Sequence, residues 1–154
     1  MPDLLAGSTV SALDTPPTVW DRQDATVGST ASAVIGTSYA TSSGGSAVCG
    51  VAFVAPTTGR VLIHYAAELD NSSMVTLVSP RVGTGATVGS GTEVVSPQDQ
   101  TAISNTGTDQ VRCGATLPVD GLIPGATYNV ALAHRVTGGN GAVSRRIVTV
   151  APAT

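Results

Sequence analysis

Charge is scarce in this chain. Only 11% of its 154 residues are Asp, Glu, Lys or Arg, none is lysine, and the net charge is −3. Without a basic field to hold a phosphate backbone, nucleic-acid binding is excluded. Aromatic residues stand at 3%, so little is available for stacking sugars, which need exposed rings. No apolar run approaches the roughly 20 residues that cross a bilayer. Residues 1–10 lack the basic region and apolar core of an export signal. The two cysteines, Cys49 and Cys113, have no Cys or His neighbour at metal-ligand spacing. They read as free thiols that pack as small hydrophobes in strands, with a disulfide across a sheet as the alternative.

What is present is a β vocabulary. The 42% apolar fraction is mostly Val, Ala and Leu, and valine and threonine suit a pleated, half-buried surface. Eighteen glycines and nine prolines cut the chain into short pieces, and the length fits one domain with a substantial core. Strands are expected at 34–41, 47–54, 60–69, 74–82, 92–95, 101–104, 110–117, 128–136 and 143–150, with a glycine-rich loop at 83–91. The clearest is 60–69, where Val61, Ile63, Tyr65, Ala67 and Leu69 alternate with a mixed face. The turn Gly138-Gly139-Asn140-Gly141 predicts an antiparallel hairpin between the last two strands. No amphipathic helix of ordinary length is visible. Many short strands with frequent turns predict an all-β, antiparallel two-sheet sandwich over residues 31–154. Its thinly charged faces suggest cover by neighbouring subunits.

Residues 1–30 differ. Leu4, Leu5, Val10, Leu13, Val19 and Trp20 are scattered among aspartates and Pro16-Pro17, with no period of 2 or 3.6. An isolated segment of this kind buries too little apolar area to offset its ordering entropy. It reads as an extended attachment arm lying on a neighbour, the alternative being a disordered leader. Leu4, Leu5, Leu13, Val19 and Trp20 are its candidate contacts, because aromatic anchors dominate interfaces.

Candidate chemistry is thin. His64 and His134 sit in strands among hydrophobic residues and read as structural or interface histidines. Glu68, Asp70 and Asn71 could supply oxygen ligands to calcium, but no EF-hand spacing accompanies them. The run from Gly83 to Gly89 lacks the lysine and helix of a phosphate loop, and Asn71-Ser72-Ser73 matches a glycosylation acceptor only incidentally. Arg145 and Arg146 must face opposite sides of one strand. With Arg135 they are the candidate subunit contacts, where a guanidinium can pair with carboxylates. No catalytic residue, metal or cofactor is assigned.

The run Cys49-Gly50-Val51-Ala52-Phe53-Val54-Ala55-Pro56-Thr57-Thr58-Gly59-Arg60-Val61-Leu62-Ile63 resembles small β-rich virion proteins of tailed phages infecting actinobacteria. So do the stretch from Gly121 to Val130, the triplet His134-Arg135-Val136 and the opening from Leu4 to Val10. The resemblance implies a jelly-roll-like sandwich of the C1q/TNF kind that assembles as a homotrimer. The Leu122-x-Pro-Gly-x-x-Tyr128 turn is similar to the tyrosine corner of immunoglobulin and fibronectin domains, which keeps a Greek-key sandwich open. The implied function is non-enzymatic: a capsid decoration protein on the outer surface of the virion, made in the host cytoplasm, with the major capsid protein as partner. A minor tail or fibre-tip protein, or a receptor- or carbohydrate-binding module, is the alternative.

Overall fold

The structure, a computed structural model, describes residues 16–28, 35–43 and 46–154. Its strands are β1 (Val19–Gln23), β2 (Val27–Gly28), β3 (Gly50–Val54), β4 (Val61–Asn71), β5 (Thr76–Thr84), β6 (Glu93–Val95), β7 (Ile103–Asn105), β8 (Val111–Val119), β9 (Thr127–Val136) and β10 (Gly141–Pro152). Among the described residues a single 3-10 turn covers Asp99–Thr101.

Alternation decides the layers. Along β4 every odd residue from Val61 to Asn71 is buried while the even ones are half-buried or exposed, as a strand with one face on a core requires. The first sheet runs β1-β10-β4-β8, with β2 also on β10. The second runs β3-β9-β5-β6, with β7 also on β5. All pairings are antiparallel. Between the sheets lie Ile63, Tyr65, Ala67 and Leu69 of β4, Val78 and Val82 of β5, Tyr128, Val130 and Leu132 of β9, and Val148 and Val150 of β10. Burying each large aliphatic side chain contributes about 1.5–3 kcal/mol.

With β1 and β2 taken as one interrupted strand, and β6 and β7 as another, every step along the chain crosses between sheets except β5 to β6. That order is a jelly roll. An immunoglobulin or fibronectin order would set the last two strands side by side, and here they lie in opposite sheets. The tyrosine-corner contact is present all the same: the Ile123 N–H donates to the Tyr128 hydroxyl at 3.1 Å.

The hairpin expected between the last two strands is therefore corrected. Both edges of β9 are already taken, by β3 and β5, so β10 has no edge to join and pairs with β1 and β4 instead. The glycine turn spans the gap between the layers. A Cβ on Gly141 would lie 2.2 Å from Thr76 Oγ1 and 2.6 Å from Val136 Cγ1, so only glycine fits the crossing. The strand expected at 34–41 is also corrected: among its described residues only a bridge from Ala40 to His134 forms, beyond the point where β3 ends its pairing with β9 at Gly50.

The first sheet includes part of the expected arm. Val19–Gln23 pairs with β10 along its whole length, and Val27–Gly28 pairs with Val143 and Ala142. The sandwich thus begins by Val19 and not at residue 31. Val19 packs against the core, because the strand's odd positions turn inward. Leu4, Leu5 and Leu13 lie outside the described residues.

Two local irregularities shape the sheets. The β10–β4 register shifts between Ser144 and Ile147, a bulge that holds Arg145 at φ 44°, a left-handed conformation uncommon for a side-chain-bearing residue. The extra residue exchanges inward and outward positions, so Val143 and then Val148 reach the core. On β5, Pro80 lies in the gap between the rungs made by β7 and those made by β6, in keeping with the missing N–H of proline.

Candidate functional site

The two outer faces of the sandwich differ. The second sheet is covered by its own loops. Buried Asn129 donates to the carbonyls of Gly85 at 3.0 Å and Ser90 at 3.2 Å and accepts from the Gly89 N–H at 3.0 Å, tying the glycine-rich loop onto β9. Arg81 donates to Ser90 O at 3.2 Å, Gly91 O at 3.0 Å and Glu93 Oε2 at 3.0 Å. Arg135 pairs with Asp99 through two nitrogens and lies 5.4 Å over the Tyr39 ring, whose hydroxyl donates to Asp99 Oδ1 at 2.9 Å. These bonds from Arg135 and Tyr39 hold the Asp99 carboxyl below its ordinary value. Burial, followed by Asp99, pushes the Tyr39 phenol up to about 12.

The first sheet has no such cover among the described residues. Registered across it are rows of outward residues: Trp20, Thr149, His64 and Thr116; then Arg22, Ile147, Ala66 and Gly114; then Ala151, Leu62 and Pro118. Ala66 and Gly114 are too small to fill their places, so His64, Thr116, Ile147 and Thr149 ring a shallow hollow of about 440 Å³. His64 Nδ1 and Thr116 Oγ1 are hydrogen-bonded at 2.8 Å. At one end the charges neutralise each other: Arg145 reaches both Glu68 oxygens at 2.8 Å, Arg112 stands 3.9 Å from Glu68, and Arg22 pairs with Asp24 at 2.7 Å. The centre of this face thus mixes Ala66, Gly114 and Ile147 with His64, Thr116 and Thr149, and the charges at its end are paired within the chain. Trp20 stands at its margin with 64% of its surface exposed.

The sequence-level candidates scatter. Trp20 belongs to this face and Val19 to the core beneath it. Arg145 borders the face, whereas Arg135 serves the opposite one. Arg146, expected at a subunit contact, is corrected: it has no exposed surface because the bulge at Arg145 turns it inward. The calcium trio is not assembled either. Glu68 is engaged by Arg145, and the Asn71 amide bonds Thr76 at 3.1 Å and Gly138 O at 3.1 Å. Asp70 and Asn71 line a polar hollow with Thr26, Ser72, Thr108, Gln110 and Asn140, and Glu68 is not part of it. Among the described residues no three His, Cys, Asp or Glu side chains are placed to hold a metal. Cys49 and Cys113 are free.

The interior carries one polar anomaly. Among the described residues nothing accepts from Arg146 Nε, Nη1 or Nη2, and neither ring nitrogen of His134 is bonded. Burial, reinforced by the Arg146 charge, lowers the His134 pKa to about 4, so it is a neutral imidazole at pH 7. Burial also lowers the Arg146 pKa, against the pull of Cys49 and Asp21. The Cys49 thiol is pushed up to about 12, first by burial and then by Asp21. A closed site with a protonated thiol presents no nucleophile, so this cluster bears on stability. The thin charge of the outer faces suggests cover by a neighbour, but which face is open is hidden in the sequence because its rows join four strands distant in the chain; locally it is marked by the small residues Ala66 and Gly114 on outward positions.

No family model matches the chain, and no curated protein does. Among solved structures it is similar to one of infectious bursal disease virus, Gx strain, at 8% identity and a TM-score of 0.44, over 89% of this chain and 34% of that one. It is also similar to the enzymatically active domain of bacteriophage CBA120 tailspike protein 4, at 12% identity and a TM-score of 0.33, over 85% of this chain and 19% of that one. The chain thus spans about a third and a fifth of those proteins.

Proposed function

We propose that this chain is a non-enzymatic structural subunit of a phage virion, a capsid decoration protein seated on the outer capsid surface with the major capsid protein beneath its first sheet. The observation that carries the reading is the contrast between the sandwich faces: one is sealed by the chain's own loops, and the other is a neutral lattice margined by Trp20. Four strands about 4.8 Å apart and a strand of eleven residues give a face of roughly 700 Å², near the roughly 800 Å² that each partner contributes to a stable interface. The sequence resemblance to actinobacterial phage virion proteins points the same way. In this reading Leu4, Leu5 and Leu13 add a second attachment, and repeated subunits turn weak contacts into durable ones.

Electron microscopy of intact particles tests the reading directly. Density for this subunit over the capsomers, first sheet inward, is the expected result; density on the tail overturns the capsid assignment. Trp20→Ala and Ala66→Glu each alter an outward position, so both should cut capsid occupancy at least tenfold while leaving the melting temperature of the isolated chain within a few degrees. Full occupancy by both variants would remove this face from the attachment.

A further inference from the structure

Among the described residues β8 is a free edge. It pairs with β4 along one side only, over nine residues from Val111 to Val119, and ends the first sheet. Its other side presents a row of backbone N–H and C=O groups, which only another extended strand satisfies in full. Edges are ordinarily blunted by charge, bulges or brevity. Here the blunting residues are Arg112 and Pro118, whose missing N–H leaves one gap in the row, while the register with β4 is unbroken and the strand is long. On its inward side Ala115 is exposed and Val111 keeps 44% of its surface open, because the facing edge of the second sheet is the interrupted pair β6 and β7.

We propose that the occupant is β8 of a second copy, paired antiparallel about a two-fold axis at Ala115. The strand is self-complementary in that register. Val111 faces Val119 of the other copy, Cys113 faces Leu117, and Ala115 faces Ala115, so the inward row is apolar throughout. On the outward row Gly114 meets Thr116 and Arg112 meets Pro118. Asp120 of the other copy, which also accepts from Arg60 of its own chain at 2.7 Å, then stands diagonally from Arg112, whose own partner Glu68 is 3.9 Å away; from that position opposite charges interact, and the symmetry repeats the pair. Sliding the axis to Cys113 would set the two Arg112 side chains diagonal to each other and shorten the overlap. Pairing at Ala115 joins two first sheets into one, so a pair presents two Trp20 faces side by side. Such a contact is two-fold, and the trimer implied by the sequence resemblance would close through other surfaces.

The test uses the full chain. In a Cys113→Ser background, Ala115→Cys sets a thiol opposite its own copy, at a separation a disulfide can bridge. Thr87→Cys, in the exposed loop over the second sheet, is the control. Mild oxidation should give a linked dimer at least tenfold more abundant for the first variant than for the second. Sedimentation velocity over rising concentration should show a reversible dimer, weakened at least tenfold by Ala115→Lys, which opposes two like charges at an exposed site. Equal cross-linking at the two positions, a monomer at every concentration, or association indifferent to Ala115→Lys would each overturn the pairing. None of these readouts involves a capsid, so loss of occupancy by Trp20→Ala with an intact dimer would separate the two proposals.

Discussion

At the scale of single residues, Arg146 and His134 are where stability and charge conflict. A buried guanidinium without acceptors costs several kcal/mol of desolvation that no partner among the described residues returns. Arg146→Met keeps the volume and removes the charge, and should stabilise the fold by about 1–4 kcal/mol in urea denaturation; a loss of stability would reveal an acceptor for the guanidinium. His134 sets a pH dependence. Its folded pKa, about 4, lies below the ordinary histidine value of 6.5, so between those values the unfolded chain binds more protons. Stability is complete above pH 6.5 and falls as pH drops towards 4, by on the order of 3 kcal/mol. Asp99 is depressed below 3.8, so its own contribution fades only at still lower pH. His134→Leu should flatten the urea midpoint between pH 6.5 and 4.5; an unchanged slope there would assign the effect elsewhere.

At the scale of elements, legibility depended on whether a pattern was local. The run from Val61 to Leu69 was readable because one strand with one buried face writes its burial directly into alternate residues. The glycine turn before β10 was equally visible as a reversal, yet its meaning was not. Whether the chain folds back as a hairpin or crosses to the other layer depends on which edges of β9 are free, and Phe53 and Val82, distant in sequence, occupy strands that take them. The bulge at Arg145 was hidden for a related reason: it shows only as a change of phase between Val143 and Val148. Trp20 reads in the sequence as a candidate anchor, but its place on a paired strand comes from partners more than a hundred residues away. The crossing itself is open to test. Gly141→Ala drives a methyl group into Thr76 and Val136 and should cost about 1–3 kcal/mol, read as a lowered urea midpoint; a neutral result would mean that the layers can part at this turn.

At the scale of the whole molecule, the jelly roll gives a rigid plate with a finished side and an unfinished one. The polar bonds of Asn129, Arg81 and Arg135 close one side with groups that would otherwise seek partners. The proposed docking through the opposite side would then have a defined polarity, and Trp20→Ala with Ala66→Glu tests it without disturbing the core. The strand order also brings the beginning and the end of the sandwich together, since Val19 stands opposite Val150. That proximity has a mechanical consequence. A pull separating residue 16 from Thr154 would peel β1 from β10 one rung after another, at low force. A pull on residue 16 directed outward along the axis of β1, against a handle near Asn140 at the far end of the sandwich, would instead load all five rungs of that pair together. Stretching single molecules between the two choices of handle should give a clearly higher rupture force for the second, which makes the direction of tension, as much as its size, decide whether an anchored subunit holds.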